Sequence, residues 1–242
     1  MEREYQKWYS PALAKHMELL IFGHSGRPVL FFPTRAARFY DYENWGVIGA
    51  IQNRIEAGEL QIFCVDSVDA ESFYSDTATP EQRIERHIQY ERYIRDEVIP
   101  LIAIKSKNDL IISAGCSMGA YHAANIAFKY PRLFSKMVGM SGRYDVTHQT
   151  GNFRDLLDGF NNEDVYFNMP SQYIGNLTDS FILDQLRQLE IIFAIGETDA
   201  FYSNNVDIHQ KLLDRDVPNT LIVWDDEAHR PRHWRRMVQL YL

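Results

Sequence analysis

The sequence predicts an α/β protein in which helices cover both faces of a mainly parallel sheet. Short apolar runs alternate along the chain with longer segments of helical period. Such alternation is typical of parallel strands joined by helical crossovers. The chain has 242 residues, 45% of them hydrophobic, and no repeat or linker divides it. We therefore expect a single domain over residues 1–242 with a continuous core.

The amino-terminal part predicts an edge hairpin, a central strand and a helix. Residues 4–10 alternate polar and aromatic side chains, and residues 16–23 carry an apolar run. Together they predict an antiparallel hairpin at a sheet edge. Residues 28–33 are apolar and bounded by prolines, which is typical of a central strand covered on both faces. Residues 42–57 predict a helix that ends at Gly58.

The middle of the chain predicts three strands and two helices. Leu60–Val65 is the first of these strands. Thr79 and Gln82 match a capping box with a proline between them, and they predict a long helix towards Lys105. Pro100 should kink or break that helix. Next in order come a strand at 109–114, a helix at 120–129 and a strand at 136–141.

The carboxyl-terminal part combines an irregular crossover with two further strands. Residues 143–180 have no clean period and are rich in Asn, Asp and aromatic residues. We expect loops and short helices there, lying as a short cap-like crossover over the carboxyl edge of the sheet. The remaining elements, in order, are a helix at 182–189, a strand at Glu190–Gly196, a helix at 204–215, a strand at Thr220–Trp224 and a helix at 231–242.

The most informative stretch is the strand–turn–helix pattern around Ser117. Gly115 and Gly119 flank this serine in a Gly-x-Ser-x-Gly pattern, the signature of a nucleophile elbow. A serine on such a sharp turn has a strained backbone, and its neighbours two residues away must lack side chains. The turn lifts the hydroxyl clear of the sheet towards substrate. The alternative is an ordinary strand-to-helix turn with an incidental serine.

A base and an acid follow this serine in the chain. A serine hydroxyl is a poor nucleophile unless a base removes its proton and a third group orients the base. Asp199 comes after the penultimate strand and His229 after the last one. The order serine, acid, histidine is that of α/β-hydrolases. We therefore predict Ser117, Asp199 and His229 as the catalytic residues.

Rival residues lie close to this acid and this base. Glu197 is the alternative to Asp199 and suits a salt bridge, whereas Asp225 and Asp226 suit a helix cap or a solvated turn. His233 is four residues beyond His229 and should lie on the wrong side of the loop. The remaining histidines considered are expected on the surface or satisfied by neighbours: His24, His87, His122, His148 and His209.

An oxyanion hole needs two N–H donors aimed at the tetrahedral intermediate. One should be the backbone N–H of Met118, directly after the nucleophile. The other should come from the loop after the strand at 28–33, which favours Thr34 or Arg35.

Composition excludes several other classes of function. The 25 basic and 33 acidic residues give a formal charge of −8, which argues against nucleic acid or anionic membrane as a partner. No signal peptide and no apolar run of about 20 residues is present, so we expect a cytoplasmic protein. Cys64 and Cys116 should be buried, reduced thiols. No metal-binding, P-loop or dinucleotide motif is present, so we expect no metal and no cofactor.

Several motifs in register resemble the putative-esterase branch of the α/β-hydrolases, which includes S-formylglutathione hydrolase, feruloyl esterases and mycolyltransferases. The resemblance covers nearly the whole chain and implies Ser117, Asp199 and His229 as the triad. The segments that carry it are 29–34, 63–68, 115–120, 140–145, 164–170, 196–199 and 224–229.

Two segments depart from the pattern of these relatives. Relatives have a glycine- or serine-rich loop where this chain has Arg35-Ala36-Ala37-Arg38, and Asp-Trp-Pro where it has Arg230-Pro231-Arg232. Arg35 and Arg230 are therefore candidate substrate-binding residues for an ester that carries a carboxylate or phosphate. The alternative is solvated surface charge. Aromatic residues of the crossover are candidates to line the pocket, with core packing as their alternative: Tyr144, Phe153, Phe160, Tyr166, Phe167 and Tyr173.

The function predicted from the sequence is a serine hydrolase that cleaves carboxylic esters through an acyl-enzyme. Its partner would be a small-molecule ester. The sequence leaves open whether the protein forms a homo-oligomer. One alternative is an acyltransferase, in which an alcohol intercepts the acyl-enzyme in place of water; product analysis with an added alcohol separates the two. Another is a non-catalytic hydrolase-like binding protein, in which Ser117 would not react with a fluorophosphonate.

Overall fold

The protein is built around one mixed β-sheet. Its structure is a computed structural model that describes residues 1–108 and 110–242. Within these residues eight strands pair in the order β1-β2-β4-β3-β5-β6-β7-β8. The strands are β1 Arg3–Ser10, β2 Lys15–Phe22, β3 Arg27–Phe32, β4 Leu60–Val65, β5 Ile111–Cys116, β6 Phe134–Met140, β7 Glu190–Gly196 and β8 Thr220–Trp224. β2 is antiparallel to β1 and β4, and the other neighbours pair in parallel. The predicted mainly parallel sheet and edge hairpin are confirmed.

Helices cover both faces of this sheet. They are α1 Asp41–Asn44, α2 Gln52–Glu56, α3 Pro80–Tyr93, α4 Ile99–Lys105, α5 Met118–Lys129, α6 Glu163–Tyr166, α7 Pro170–Tyr173, α8 Ser180–Leu186, α9 Tyr202–Leu213 and α10 Pro231–Tyr241. Successive side chains of a strand point to opposite faces. Leu30 and Phe32 of β3 therefore join the core beneath α3, α4 and α5. Val29 and Phe31 join the core beneath α10. None of the described helices is both long and apolar enough to cross a bilayer.

The long helix begins where its sequence predicts, and its regular α-helical pattern is interrupted just before Pro100. The Thr79 hydroxyl accepts from the Gln82 N–H at 3.3 Å, and the Gln82 side chain accepts from the Thr79 N–H at 3.0 Å. This capping box starts α3. Before Pro100 the helix widens into a π turn at Ile94–Val98, then continues as α4. The wider turn accommodates the proline ring, so the chain passes through Pro100 without leaving the helical conformation.

The prediction of a single helix at 42–57 is wrong. The segment forms α1, a 3-10 turn at Gly49–Ile51 and α2. Gly46 interrupts the helix because it adopts a left-handed conformation, with φ of 70°. The buried Tyr42 hydroxyl donates to the Phe32 carbonyl at 2.7 Å and accepts from the Cys116 N–H at 2.9 Å. Gly58 ends the segment with φ of 72°, as predicted.

The remaining predicted elements are present with small shifts in their ends. Asp109, predicted as the first residue of β5, lies outside the described residues, and Leu110 is exposed before the strand begins at Ile111. The crossover at 143–180 consists of loops and the short helices α6 and α7, as expected. It packs on α3 and α5 through a small core of its own. Cys64 and Cys116 are free, buried thiols, and burial raises the pKa of both.

A buried polar cluster lies between α3 and α5, behind the turn that holds Ser117. The His122 ring contacts the Asp69 carboxylate at 2.9 Å, and both side chains are almost fully buried. The Nε2 atom of His87 lies 3.2 Å from the Tyr121 hydroxyl and 3.3 Å from the Asn125 amide nitrogen. Burial, followed by the charges of His122 and Lys129, lowers the pKa of His87 well below its usual value. His87 is therefore held neutral in the folded protein.

This burial predicts a loss of stability in acid. The unfolded chain binds a proton at His87 near pH 6.5, whereas the folded chain does so only at lower pH. The contribution of His87 to stability is thus complete above about pH 6.5 and falls below it, by up to about 1.4 kcal/mol per pH unit. Urea unfolding between pH 7 and 5 should show a shallower pH dependence for His87→Gln than for the wild type. The exposed-site control His24→Gln should retain the wild-type slope; equal slopes for all three proteins would contradict the prediction.

Candidate active site

The predicted site residues meet at one edge of the sheet because they follow parallel strands. Thr34 comes after β3, Ser117 after β5, Asp199 after β7 and His229 after β8. The carboxyl ends of parallel strands lie at the same edge, where ligand sites of open α/β sheets are found. The structure thus brings together side chains that are up to 195 positions apart, the separation between Thr34 and His229 (229 − 34).

Ser117 occupies a strained turn between β5 and α5. Its φ of 55° and ψ of −119° are unusual for a residue with a side chain. The Ser117 N–H donates to the Met140 carbonyl of the neighbouring strand at 2.8 Å, which holds this conformation. Met118 begins α5 directly afterwards, so its N–H belongs to the first turn, where intrahelical acceptors are absent.

The glycines on either side of Ser117 are required by close backbone contacts. A Cβ atom on Gly115 would lie 2.2 Å from backbone atoms of Gly119. A Cβ atom on Gly119 would lie 2.2 Å from the Phe32 carbonyl oxygen and 2.7 Å from that of Pro33. These contacts press the start of α5 against the end of β3. The absence of side chains therefore brings the loop after β3 next to Met118.

His229 bridges Ser117 and Asp199. Its Nε2 atom lies 2.9 Å from the Ser117 hydroxyl oxygen, and its Nδ1 atom lies 2.7 Å from Oδ2 of Asp199. The other carboxylate oxygen of Asp199 accepts from the Phe201 N–H at 2.9 Å. The Asp199 side chain is 1% exposed and that of His229 is 17% exposed. With the proton on Nδ1, this imidazole presents its free Nε2 lone pair to the serine hydroxyl.

Hydrogen bonds to Ser141 hold the loop that carries His229 in place. The Ser141 hydroxyl donates to the Ala228 carbonyl at 3.0 Å and accepts from the Trp234 indole N–H at 3.1 Å. Ala228 has φ of 49°, a strained value that turns the chain immediately before His229. The Trp234 ring packs edge-on against the imidazole, with 5.8 Å between ring centres. These contacts orient the imidazole before substrate binds.

The rival acids and base lie outside this chain of hydrogen bonds. Glu197, Asp225 and Asp226 are exposed. Asp226 lies 3.6 Å from the Arg232 guanidinium, in keeping with a solvated turn. His233 lies on α10 and faces a different depression, beside Trp224. The structure thus brings Asp199 and His229, rather than their rivals, to Ser117.

A cavity of about 320 Å³ surrounds Ser117 and His229. The candidate oxyanion residues Thr34, Arg35 and Met118 all line it, as does Arg230. A larger cavity of about 510 Å³ lies elsewhere, among residues of α5, α6 and the segment before α8, and includes none of the predicted catalytic, oxyanion or arginine residues. We assign the smaller cavity to the candidate site because it contains the only serine–histidine–aspartate arrangement within the described residues.

Sequence reasoning missed several residues of this cavity. Tyr74, Arg143, Phe201 and Trp234 line it. Arg143 follows β6 at the same sheet edge as the other site residues. That position after a parallel strand is the signal in the sequence that could have identified it. Burial and the charge of Asp69 raise the pKa of Tyr74 to about 12, so this phenol is neutral at physiological pH.

Most of the crossover aromatics are not in this cavity. Of the candidates, Phe153 lines it and stacks near Phe201, with 4.6 Å between ring centres. Tyr144 is fully buried against Phe193 in the core. Phe160 packs on the small core of the crossover. The others line the larger cavity instead: Tyr166, Phe167 and Tyr173.

Metal ligation has no support in the described part of the chain. No group of three or more His, Cys, Asp or Glu side chains is arranged there to hold a metal ion.

Comparison with known proteins identifies the family. The family model described as "Putative esterase" matches residues 41–230. The chain belongs to the putative esterase family. This makes the protein a hydrolase that acts on esters. A comparison with curated protein sequences gives no match.

Three solved structures share the fold over almost the whole chain. A ferulic acid esterase has a TM-score of 0.78 at 17% identity, covering 99% of this chain and 94% of its own. The S-formylglutathione hydrolase of Agrobacterium tumefaciens has a TM-score of 0.74 at 14% identity, with coverages of 98% and 93%. The fluorophosphonate-binding serine hydrolase F of Staphylococcus aureus has a TM-score of 0.69 at 14% identity, with coverages of 99% and 96%. The predicted α/β-hydrolase fold of this family member is confirmed.

Proposed function

We propose that the protein is a serine esterase that cleaves small carboxylic esters through an acyl-enzyme on Ser117. The observation that supports this most directly is the hydrogen-bonded series from Ser117 through His229 to the buried Asp199. In acyl-transfer hydrolases such a series converts a serine hydroxyl into a nucleophile. Family membership supports ester cleavage independently.

In the first half-reaction, Nε2 of His229 accepts the hydroxyl proton as the Ser117 oxygen attacks the ester carbonyl carbon. The carbonyl π electrons move onto oxygen and form a tetrahedral oxyanion. When this intermediate collapses, the bond to the alcohol oxygen breaks and His229 returns the proton to the leaving alcohol. Asp199 stabilises the transient imidazolium and holds its orientation without itself taking the proton.

In the second half-reaction, water replaces the alcohol. His229 accepts a proton from water as the hydroxide oxygen bonds to the acyl carbon. Collapse of the second tetrahedral intermediate breaks the bond to the Ser117 oxygen, which regains its proton from His229. The 17% exposure of the His229 side chain leaves a path for this water.

The oxyanion in both steps would bind to backbone N–H groups. Met118 contributes one, at the first turn of α5, where the helix dipole also favours negative charge. Thr34 or Arg35 contributes the second, from the loop that Gly119 brings close to α5. Preorganised donors of this kind are worth about 3–4 kcal/mol each in other hydrolases.

The proposal predicts that Ser117→Ala abolishes ester cleavage. The kcat/KM for 4-nitrophenyl acetate and butyrate should fall by at least about 10⁴-fold, because the nucleophile is lost. A fluorophosphonate probe should label the wild type and not this variant. Ser135→Ala is the matched control, since Ser135 lies on β6 at the opposite end of the strand from the site. It should keep both activity and labelling. Ester turnover that survives in Ser117→Ala would overturn the proposal.

A further inference from the structure

Two arginines and a tyrosine line the Ser117 cavity. The Arg35 guanidinium lies over the Tyr74 ring, 5.3 Å from its centre. The charges of Arg143 and Arg35 both lower the pKa of the Tyr74 phenol, and they oppose the larger rise that burial causes. Arg35, Tyr74 and Arg143 all line the cavity with Ser117. We call these three residues the arginine–tyrosine wall.

Arg143 is a buried cation. Among the described residues, no carboxylate lies close enough to form a salt bridge with it. The residue is 4% exposed. Its Nε and one terminal nitrogen, Nη2, donate to the backbone carbonyls of Asp145, Val146, His148 and Arg154 at 2.7–3.3 Å. These bonds fix the guanidinium through Nε and Nη2, and the Tyr74 hydroxyl interacts with the same guanidinium.

The charges of Asp145 and Asp155 attract the Arg143 guanidinium through space, but both carboxylates form their hydrogen bonds with other groups. Asp145 accepts from Thr147 and Gln172, and Asp155 accepts from the N–H groups of Leu157 and Gly159. A buried charge without a counter-ion is costly, and an anionic ligand would remove that cost.

The other charges of the cavity also favour an anion. The negative charge of Asp199 is paired with His229 through a hydrogen bond. Glu227, at the rim, is half exposed and lies 3.9 Å from Arg230. Arg35 has no described carboxylate partner, whereas Arg38 of the same loop is bound to Asp66 and Glu18 at 2.9 Å. The positive charge that faces Ser117 therefore comes from Arg143 and Arg35.

We propose that the natural substrates are esters that carry an anionic group, which Arg143 and Arg35 bind beside Ser117. This inference rests on the proposed function. A guanidinium suits a carboxylate in particular, because charge-assisted N–H···O bonds to it are short and strong. Arg35 and Arg230 are both exposed, so water screens both charges. Arg35 is held over the Tyr74 ring, whereas Arg230 is 68% exposed and has the Glu227 carboxylate as a neighbour, so Arg230 contributes less.

The test compares isosteric ester pairs that differ only in charge. For an anion in the acyl half, the pair is the 4-nitrophenyl monoester of glutarate and the corresponding glutaramate, in which a terminal amide replaces the carboxylate. For an anion in the alcohol half, the pair is 4-acetoxybenzoate and 4-acetoxybenzamide. In at least one pair the wild type should prefer the carboxylate by about tenfold or more in kcat/KM. Rates with Ser117→Ala are subtracted as background.

Substitutions identify which residues bind the carboxylate of the substrate. Arg143→Gln and Arg35→Gln should each lower the carboxylate-to-amide ratio towards one, with the amide as the internal reference for any general loss of activity. Arg143→Lys keeps a charge and should retain part of the preference. Arg38→Gln is the matched control on the same loop and should leave the ratio unchanged. Because the measured quantity is a ratio, a partly destabilised Arg143 variant remains informative, and Arg35→Gln tests the wall without disturbing the Arg143 loop.

The outcomes separate this inference from the proposed function. Equal rates for both members of both pairs, with Ser117-dependent cleavage, would overturn the inference and leave the esterase proposal intact. A preference that persists in both Arg35→Gln and Arg143→Gln would likewise overturn it. Absence of Ser117-dependent cleavage with every ester would overturn the esterase proposal itself.

Discussion

Replacing Asp199 with Asn is expected to lower kcat for ester cleavage by about 10⁴-fold while leaving the fold intact. The reason lies in how the two carboxylate oxygens are used. Oδ1 accepts from the Phe201 N–H at 2.9 Å, and Oδ2 accepts from Nδ1 of His229 at 2.7 Å. In the variant the amide oxygen would keep the bond to Phe201, which turns the NH₂ group towards His229. The imidazole would then carry its proton on Nε2 and could not accept the proton of Ser117.

This prediction is measured with steady-state kinetics on an aryl ester and with thermal unfolding. Glu197→Gln is the matched control, because Glu197 is the nearby rival acid and is exposed. It should retain most of the wild-type kcat. A loss in Glu197→Gln equal to that in Asp199→Asn would show that the acid is assigned to the wrong residue.

Replacing Gly119 with Ala is expected to destabilise the protein by about 3 kcal/mol or more and to lower kcat as well. The new Cβ would lie 2.2 Å from the Phe32 carbonyl oxygen and 2.7 Å from that of Pro33. Both are backbone atoms, which cannot rotate away as a side chain can. The end of β3 and the start of α5 would have to separate. The N–H groups of Met118 and of Thr34 or Arg35 would then no longer converge on one oxyanion.

Gly49→Ala is the matched control for this substitution. A Cβ atom on Gly49 meets no atom within 4 Å, and its φ is not positive. Urea unfolding should therefore give nearly the wild-type stability for Gly49→Ala and a much lower one for Gly119→Ala. Equal stability of the two variants would contradict the role given to the close contact between β3 and α5.

The elements that local sequence predicted well are those with strong local signals. The capping box at Thr79 and Gln82 starts α3, and Gly58 ends its segment in a left-handed conformation. Continuous apolar runs predicted the buried strands, because a strand covered on both faces has no polar side. The helix expected at 42–57 failed because Gly46 and the hydrogen bonds of Tyr42 to two strands override its helical period.

The candidate triad was accessible from sequence for a related reason. Each of its members follows a recognisable strand, and parallel strands bring their carboxyl ends together. The sequence favoured Asp199 over its rival Glu197, and the structure places Asp199 buried against His229 while Glu197, two positions away on the same loop, is exposed. The aromatic candidates were mostly misplaced because an irregular crossover has no period that tells which side chains face the cavity.

The sequence by itself determined the α/β architecture, the strand that carries Ser117 and the order of the residues that meet it. These depend on hydrophobic period, glycine and proline, which act over a few neighbouring residues. Only the tertiary structure decided that His229 reaches both Ser117 and Asp199, and that the buried charge of Arg143 lies at the same cavity. Such choices depend on distances between side chains far apart in the chain, and those distances exist only once the sheet has assembled.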